Sequence, residues 1–161
     1  MRRVFTMVRR ETGGVWVTLK ETIAASPDEV LECITTPEGL TRWLSVGASF
    51  EPHAGGRLSL AWDREATHVL ETTIQEYDIA QGRVSWVWFP TPLEDWTVKL
   101  EFLVDRQVEA GARVIVRLGP FSEATDSLLA AADAAESWRW YLCNLRSVLE
   151  SKHDMRAIRP L

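Results

Sequence analysis

The sequence predicts an α+β domain in which a curved antiparallel sheet of about six or seven strands wraps a long C-terminal helix, with two short helices after the first strand. Three observations predict it. Residues 15–24 alternate between two faces, residues 47–121 break into alternating runs separated by turn signals, and residues 127–152 hold neither Gly nor Pro while carrying an apolar stripe. A sheet with one apolar face needs a cover, and the terminal amphipathic segment is the element long enough to supply it.

In the first strand Val15, Val17, Leu19, Glu21 and Ile23 oppose Trp16, Thr18, Lys20 and Thr22. Ser26-Pro27-Asp28-Glu29 then supplies a capping hydroxyl, a proline at the first helical position and a Glu three residues past the cap, which together start a helix. Val30, Leu31 and Ile34 give that helix an apolar side, and Pro37 ends it by excluding helical geometry at Thr36. Thr36-Pro37 repeats the start signal for a shorter helix bearing Leu40, Trp43 and Leu44.

Turns at Gly55-Gly56, Gln81-Gly82 and Ala110-Gly111 divide the following meander into five or six strands. Their apolar faces read Leu58, Leu60, Trp62; then Leu70 and Ile74 with His68 and Thr72 in step; Val84, Trp86, Trp88; Val98, Leu100, Phe102; and Val114, Val116, Leu118. The opposite faces carry Arg57, Glu71, Gln75, Arg83, Lys99, Glu101, Arg113 and Arg117, so one side faces water. The terminal helix, with capping candidates Thr125 and Asp126, presents Leu128, Ala132, Ala135, Trp138, Leu142, Leu145 and Leu149 at helical spacing. The domain is expected over 14–152, with a flexible basic arm at 1–13 (Arg2, Arg3, Arg9, Arg10) and a tail at 153–161.

At 161 residues the chain is long enough for one well-buried core. A net charge of -5 argues against nucleic acid or anionic lipid as a partner, since both need a positive surface field. The longest apolar run, near Leu128 to Ala132, is far short of a membrane span. Cys33 and Cys143 lie far apart with no paired motif, and no secretory leader pattern appears, so a reducing, cytoplasmic setting is expected.

Chemistry-bearing motifs are sparse. There is no nucleophile elbow, phosphate loop, zinc-helix motif or dinucleotide glycine pattern, and no cofactor is expected. His53, His68 and His153 fall in three different elements, none at a zinc-ligand spacing from either cysteine, so no metal site is expected. Glu94 and Asp95 read as solvated turn residues, Glu71 and Glu101 as outward-facing, and no catalytic residue is assigned. His68 reads either as a polar anchor or proton-transfer group, or as a core or strand-end histidine without chemistry. Trp62, Trp86, Trp88 and Trp138 fall on converging faces, where eight indoles in one chain build either an aromatic pocket wall or plain core. Trp16, Trp96 and Trp140 fall off those faces and suit surface or dimer contacts.

Taken in order, Ala25 to Val30, the Thr-Pro-Glu-Gly-Leu-x-x-Trp run Thr36 to Trp43, Gly55-Gly56, Trp88, and Trp138 with Leu142, Leu145 and Leu149 resemble the SRPBCC (START-like) superfamily. The branch is that related to the C-terminal domain of the activator of heat-shock-protein-ninety ATPase. The resemblance covers about residues 15–150 and implies a helix-grip fold with a cavity between sheet and long helix. Relatives often hold a polar residue, frequently His, near the end of the strand that here closes with Leu118, which makes this pocket more apolar. A protein that binds a small hydrophobic or amphipathic, lipid-like molecule is therefore expected. The pocket is expected to be lined by Trp62, His68, Leu70, Trp86, Trp88, Val98, Leu100, Val116, Trp138 and Tyr141, the last offering a phenol to a polar handle. Two other readings stand beside it: a cyclase- or hydrolase-like cavity enzyme using His68, and a co-chaperone-like interaction module with a chaperone partner. A homodimer is compatible with all three, because a fold does not fix a function.

Overall fold

The computed structural model describes residues 5–89, 96–106 and 109–157. One antiparallel sheet of eight strands dominates it. In chain order these are β1 (Phe5–Glu11), β2 (Gly14–Ile23), β3 (Gly47–Phe50), β4 (Arg57–Ala61), β5 (Val69–Asp78), β6 (Arg83–Trp88), β7 (Val98–Asp105) and β8 (Ala112–Phe121). Across the sheet they run β1-β2-β8-β7-β6-β5-β4-β3, so β2 pairs with the last strand of the meander and the chain's two halves join at β2–β8. Helices α1 (Pro27–Thr35) and α2 (Pro37–Thr41) fill the connection from β2 to β3, and α3 (Thr125–Ser151) crosses the inner face.

The starts of α1 and α2 are those the sequence predicts. Ser26 Oγ accepts from Glu29 N at 3.1 Å while Ser26 N donates to Glu29 Oε2 at 2.9 Å, a complete capping box. Thr36 Oγ1 accepts from Gly39 N at 2.9 Å to open α2. In the Thr36–Trp43 run, Gly39 is a packing requirement, because a Cβ there would lie 2.1 Å from Glu32 O and 2.6 Å from Cys33 Cα. That close approach lets α2 lie on α1 and places Trp43 Nε1 2.9 Å from Cys33 O, to which it donates. The run is thus a helix-on-helix clamp.

Two register shifts curve the sheet. One falls between Ile74 and Glu76 on β5, and the other opposite Trp16, where Val15 and Val17 pair with Phe121 and Leu118. The indole of Trp16 lies over Gly119, whose Cβ would come within 2.5 Å of the ring, and the Arg117 guanidinium stacks on the same indole at 4.5 Å. Trp16 therefore serves the bulge on the convex face. Trp96 also turns inward, edge-on to Phe121 at 5.8 Å, and Trp140 meets Tyr141 at 5.6 Å. Both indoles are partly buried.

The core lies between the concave face and α3, built from Val17, Leu19, Leu60, Ile74, Trp86, Leu100, Val114, Val116 and Leu118 against Trp138, Leu142 and Leu145, all buried. Burying each such side chain stabilises the fold by about 1.5–3 kcal/mol before ordering entropy is set against it.

Three expectations are corrected. Within the arm expected to be flexible at 1–13, residues 5–11 form an edge strand, with Arg9 opposite Trp16 and Phe5 opposite Lys20. Its side chains are mostly exposed on both faces, so it lacks the alternation that announces a strand. Of the tail expected at 153–161, residues 155 and 156 are tied to the domain. Buried Asn144 donates to Trp43 O at 2.8 Å and accepts from Met155 N at 2.7 Å, while Arg156 donates to Ser45 O at 2.8 Å and Thr41 O at 2.7 Å. Finally, α3 begins after Ala124 with no side-chain cap, so neither Thr125 nor Asp126 caps it. Its buried positions before Trp138 are Ser127 and Ala131, whereas Leu128 and Ala132 are exposed.

Candidate functional site

The two ends of α3 meet different surroundings. Towards its C-terminus the helix leans on β2, where Glu21, inward-facing and 3% exposed, accepts from Arg139 at 3.3 Å and Arg146 at 3.5 Å. Arg139 also donates to Phe5 O, to Thr6 Oγ1 at 2.9 Å and to Lys20 O at 3.3 Å, stitching β1 and β2 to the helix. These bonds all hold the C-terminal half of α3. A groove of about 1110 Å³ remains between its N-terminal half and strands β5 and β6.

Six of the ten expected pocket residues border this groove: Trp62, His68, Leu70, Trp88, Trp138 and Tyr141. The other four, Trp86, Val98, Leu100 and Val116, do not reach it and are packed in the core. The reason is an aromatic chain that fills the inner half of the interior. Trp86 meets Phe102 at 5.1 Å, Phe102 meets Trp138 at 5.7 Å, and Trp43 closes on Trp138 at 6.4 Å. From Trp138 the chain continues outward to Trp88 at 5.2 Å and Tyr141 at 5.4 Å, and then to Trp62, which lies 6.2 Å from Trp88 and 6.0 Å from Tyr141. The four indoles on converging faces thus divide: Trp86 is core, Trp138 is buried at the groove's edge, and Trp62 and Trp88 are partly buried on its floor.

The polar groups sit at the rim. His68, expected to face inward, is at the strand end in solvent with its side chain 72% exposed. It is nonetheless fixed: Nδ1 lies 2.9 Å from Asp63 Oδ2, and the backbone amides of Thr67 and His68 both donate to the same carboxylate at 2.8 Å. Those donors, the Thr67 amide foremost and the imidazole after it, hold the Asp63 carboxyl well below the usual carboxylate range. Burial pushes the Tyr141 phenol up, so it stays a neutral donor at physiological pH. Glu71, expected to point away, is an exposed residue of β5 that borders the groove. Residues the sequence reading missed are Val69, Phe89 and Phe121 and, from α3, Asp126, Leu129, Ala130, Asp133, Ala134, Glu136 and Ser137. The signal of those on α3 is the step 126, 130, 133, 137 along one helical row, legible only after the helix's phase is known.

Cys33 is buried and its thiol is pushed up by that burial; Cys143 is partly buried, and both are free. Among the described residues no group of His, Cys, Asp and Glu side chains could hold a metal ion, and no helix is long and apolar enough to cross a membrane. Glu94 and Asp95 lie outside the described residues.

An open antiparallel sheet gripping a long C-terminal helix, with two capped helices after the second strand, is the helix-grip fold. Within that class the model of one family, described as activator of Hsp90 ATPase homolog 1-like protein, matches residues 24–150, and the chain belongs to this family. Among curated proteins none matches the chain. Solved structures extend the likeness of fold. The protein MLL2253 of Mesorhizobium loti is 18% identical over 86% of this chain and 98% of its own, with a TM-score of 0.71. The Aha1 dimer of Colwellia psychrerythraea is 20% identical over 84% and 96%, with a TM-score of 0.69. CalU16 of Micromonospora echinospora is 16% identical over 98% and 89%, with a TM-score of 0.70.

Proposed function

We propose that this protein binds a small hydrophobic or amphipathic molecule in the groove between β5, β6 and the N-terminal half of α3. The observation that carries the reading is the floor of that groove. Trp62, Trp88 and Tyr141 are only partly buried although they join an otherwise closed aromatic core, and about 1110 Å³ lies above them. A volume of that size fits a drug-sized or lipid-like body, and aromatic walls with few polar groups are what such ligands meet. Exposed apolar residues at the mouth, Val69 and Leu129, extend the same surface.

The test is a plugged variant. Ala134 lines the groove from α3, so a bulky ring at this position, in Ala134→Trp, should fill it. A solvatochromic dye should brighten and shift to the blue with the native protein and stay dark with the variant, both melting alike. Equal dye response from the two proteins would remove the groove as the binding site.

A second reading is favoured by the Asp63–His68 pair. A carboxylate on Nδ1 orients an imidazole with Nε2 available, the arrangement of a general acid or base, and it stands on the groove's rim. This reading requires turnover of a groove-bound substrate, such as an octanoyl aryl ester, that His68→Gln abolishes while dye affinity stays unchanged. Turnover surviving the substitution would retire it.

A further inference from the structure

The charges around the groove are of one sign. Its rim carries the carboxylates of Glu71 on one wall and of Asp126, Asp133 and Glu136 on the other, all four residues exposed. Neither lysine nor arginine stands among the described residues that line it, and the single basic group, His68, is already held by Asp63. Elsewhere the protein pairs its acids with arginine, as at Glu21, Glu11 and Asp154. Below this acidic rim lie indole and phenol rings, whose faces attract cations, and the Tyr141 phenol remains neutral.

Resting on the groove reading above, we infer that the ligand is an organic cation: an apolar body laid on Trp62, Trp88 and Tyr141, with an ammonium group beneath the carboxylates of Glu71, Asp133 and Glu136. Both attractions act on the same charge. The ring faces favour a weakly hydrated ammonium in contact, while the carboxylates on both walls raise its local concentration and select against anions. A fatty acid or phosphate-headed lipid meets the opposite field. Because the carboxylates are exposed, their share of the selectivity weakens with salt, whereas the aromatic share persists.

Three probes with one chain separate the terms: octyltrimethylammonium, octanol and octanoate, each titrated into the full chain while tryptophan emission is followed. The ammonium should bind about tenfold tighter than octanol, with octanoate weakest. Asp133→Asn combined with Glu136→Gln, both on the exposed side of α3, should cut the preference for the cation about threefold and leave octanol unchanged. Raising the ionic strength to about 0.5 M should do the same to the native protein. Octanoate binding as tightly as the ammonium, or a cation preference untouched by the double substitution, overturns the inference. Octanol binding as well as the ammonium overturns it too but leaves the groove as an apolar site. No binding by any of the three, with the dye also silent, fails the groove reading itself.

Discussion

The two halves of α3 are one helix with two different jobs. From Trp138 to Leu149 it presents Trp138, Leu142, Leu145, Val148 and Leu149 to the sheet, all buried, and two arginines on this stretch reach Glu21. Before Trp138, Leu129 is 62% exposed and only Ser127 and Ala131 are buried. The difference teaches where each property resides: the C-terminal half fixes the helix to the sheet, and the N-terminal half forms one wall of the groove. Stability and binding are then separable by substitution.

The largest effect should come from cutting the attachment. Arg139→Ala leaves the buried Glu21 carboxylate with Arg146 as its one arginine partner and removes the bonds to Phe5 O, Thr6 Oγ1 and Lys20 O. A loss of about 3 kcal/mol is expected in urea unfolding, because an under-compensated buried charge costs more than a pair contributes. Glu21→Gln, which keeps an acceptor and drops the charge, should cost clearly less. An Arg139→Ala loss below about 1 kcal/mol would mean that the arginine is a surface ornament.

A leucine pair sharpens the comparison next. Leu142→Ala empties a fully buried site and should cost about 2–5 kcal/mol, whereas Leu129→Ala should stay within about 0.5 kcal/mol. Dye affinity should respond in the reverse order, falling with Leu129→Ala and holding with Leu142→Ala under conditions where that variant is folded. Matching effects of the two on both measurements would show that the halves of the helix are not distinct.

The sequence made the attached half legible and the overhanging half obscure, for a physical reason. Leucine and tryptophan at steps of three and four mark a buried stripe, and from Trp138 onward the structure follows it. Extended backward, the same stripe selects Leu128 and Ala132, but the chain buries Ser127 and Ala131. Ser127 Oγ accepts from Ser122 N at 2.8 Å there, so a small hydroxyl is needed where the helix leaves β8. A one-residue change of phase moves the exposed face by about 100°, so the wall formed by Leu129 and Asp133 cannot be placed until the helix's phase is known. The strands and both early helices were legible because alternation and capping are local. Edge strand β1, with no buried face, and the Asn144–Asp154–Arg156 network, made of contacts between distant segments, leave no periodic trace. Pocket depth was illegible too, since Trp62 and Trp86 read alike in alternation and differ only in which rings stand behind them.

The smallest effect belongs to the far wall, at the turn between β4 and β5. Asp63 accepts from the amides of Thr67 and His68 and from the imidazole, and its folded pKa is depressed below the ordinary carboxylate value. A depressed acid contributes order that is fully present above the unfolded pKa, near 4, and is lost as pH falls through the folded one. The turn should therefore hold through pH 4 and loosen only in stronger acid. Amide chemical shifts of Thr67 and His68 followed by NMR from neutral pH downward should move together with a midpoint well under 4, while global unfolding by heat barely registers the change. In Asp63→Ala both amides should lack that titration and exchange faster with solvent. A midpoint at 4 or higher would show that the carboxylate is not held by this turn, and His68 would then lose its fixed place on the groove's rim.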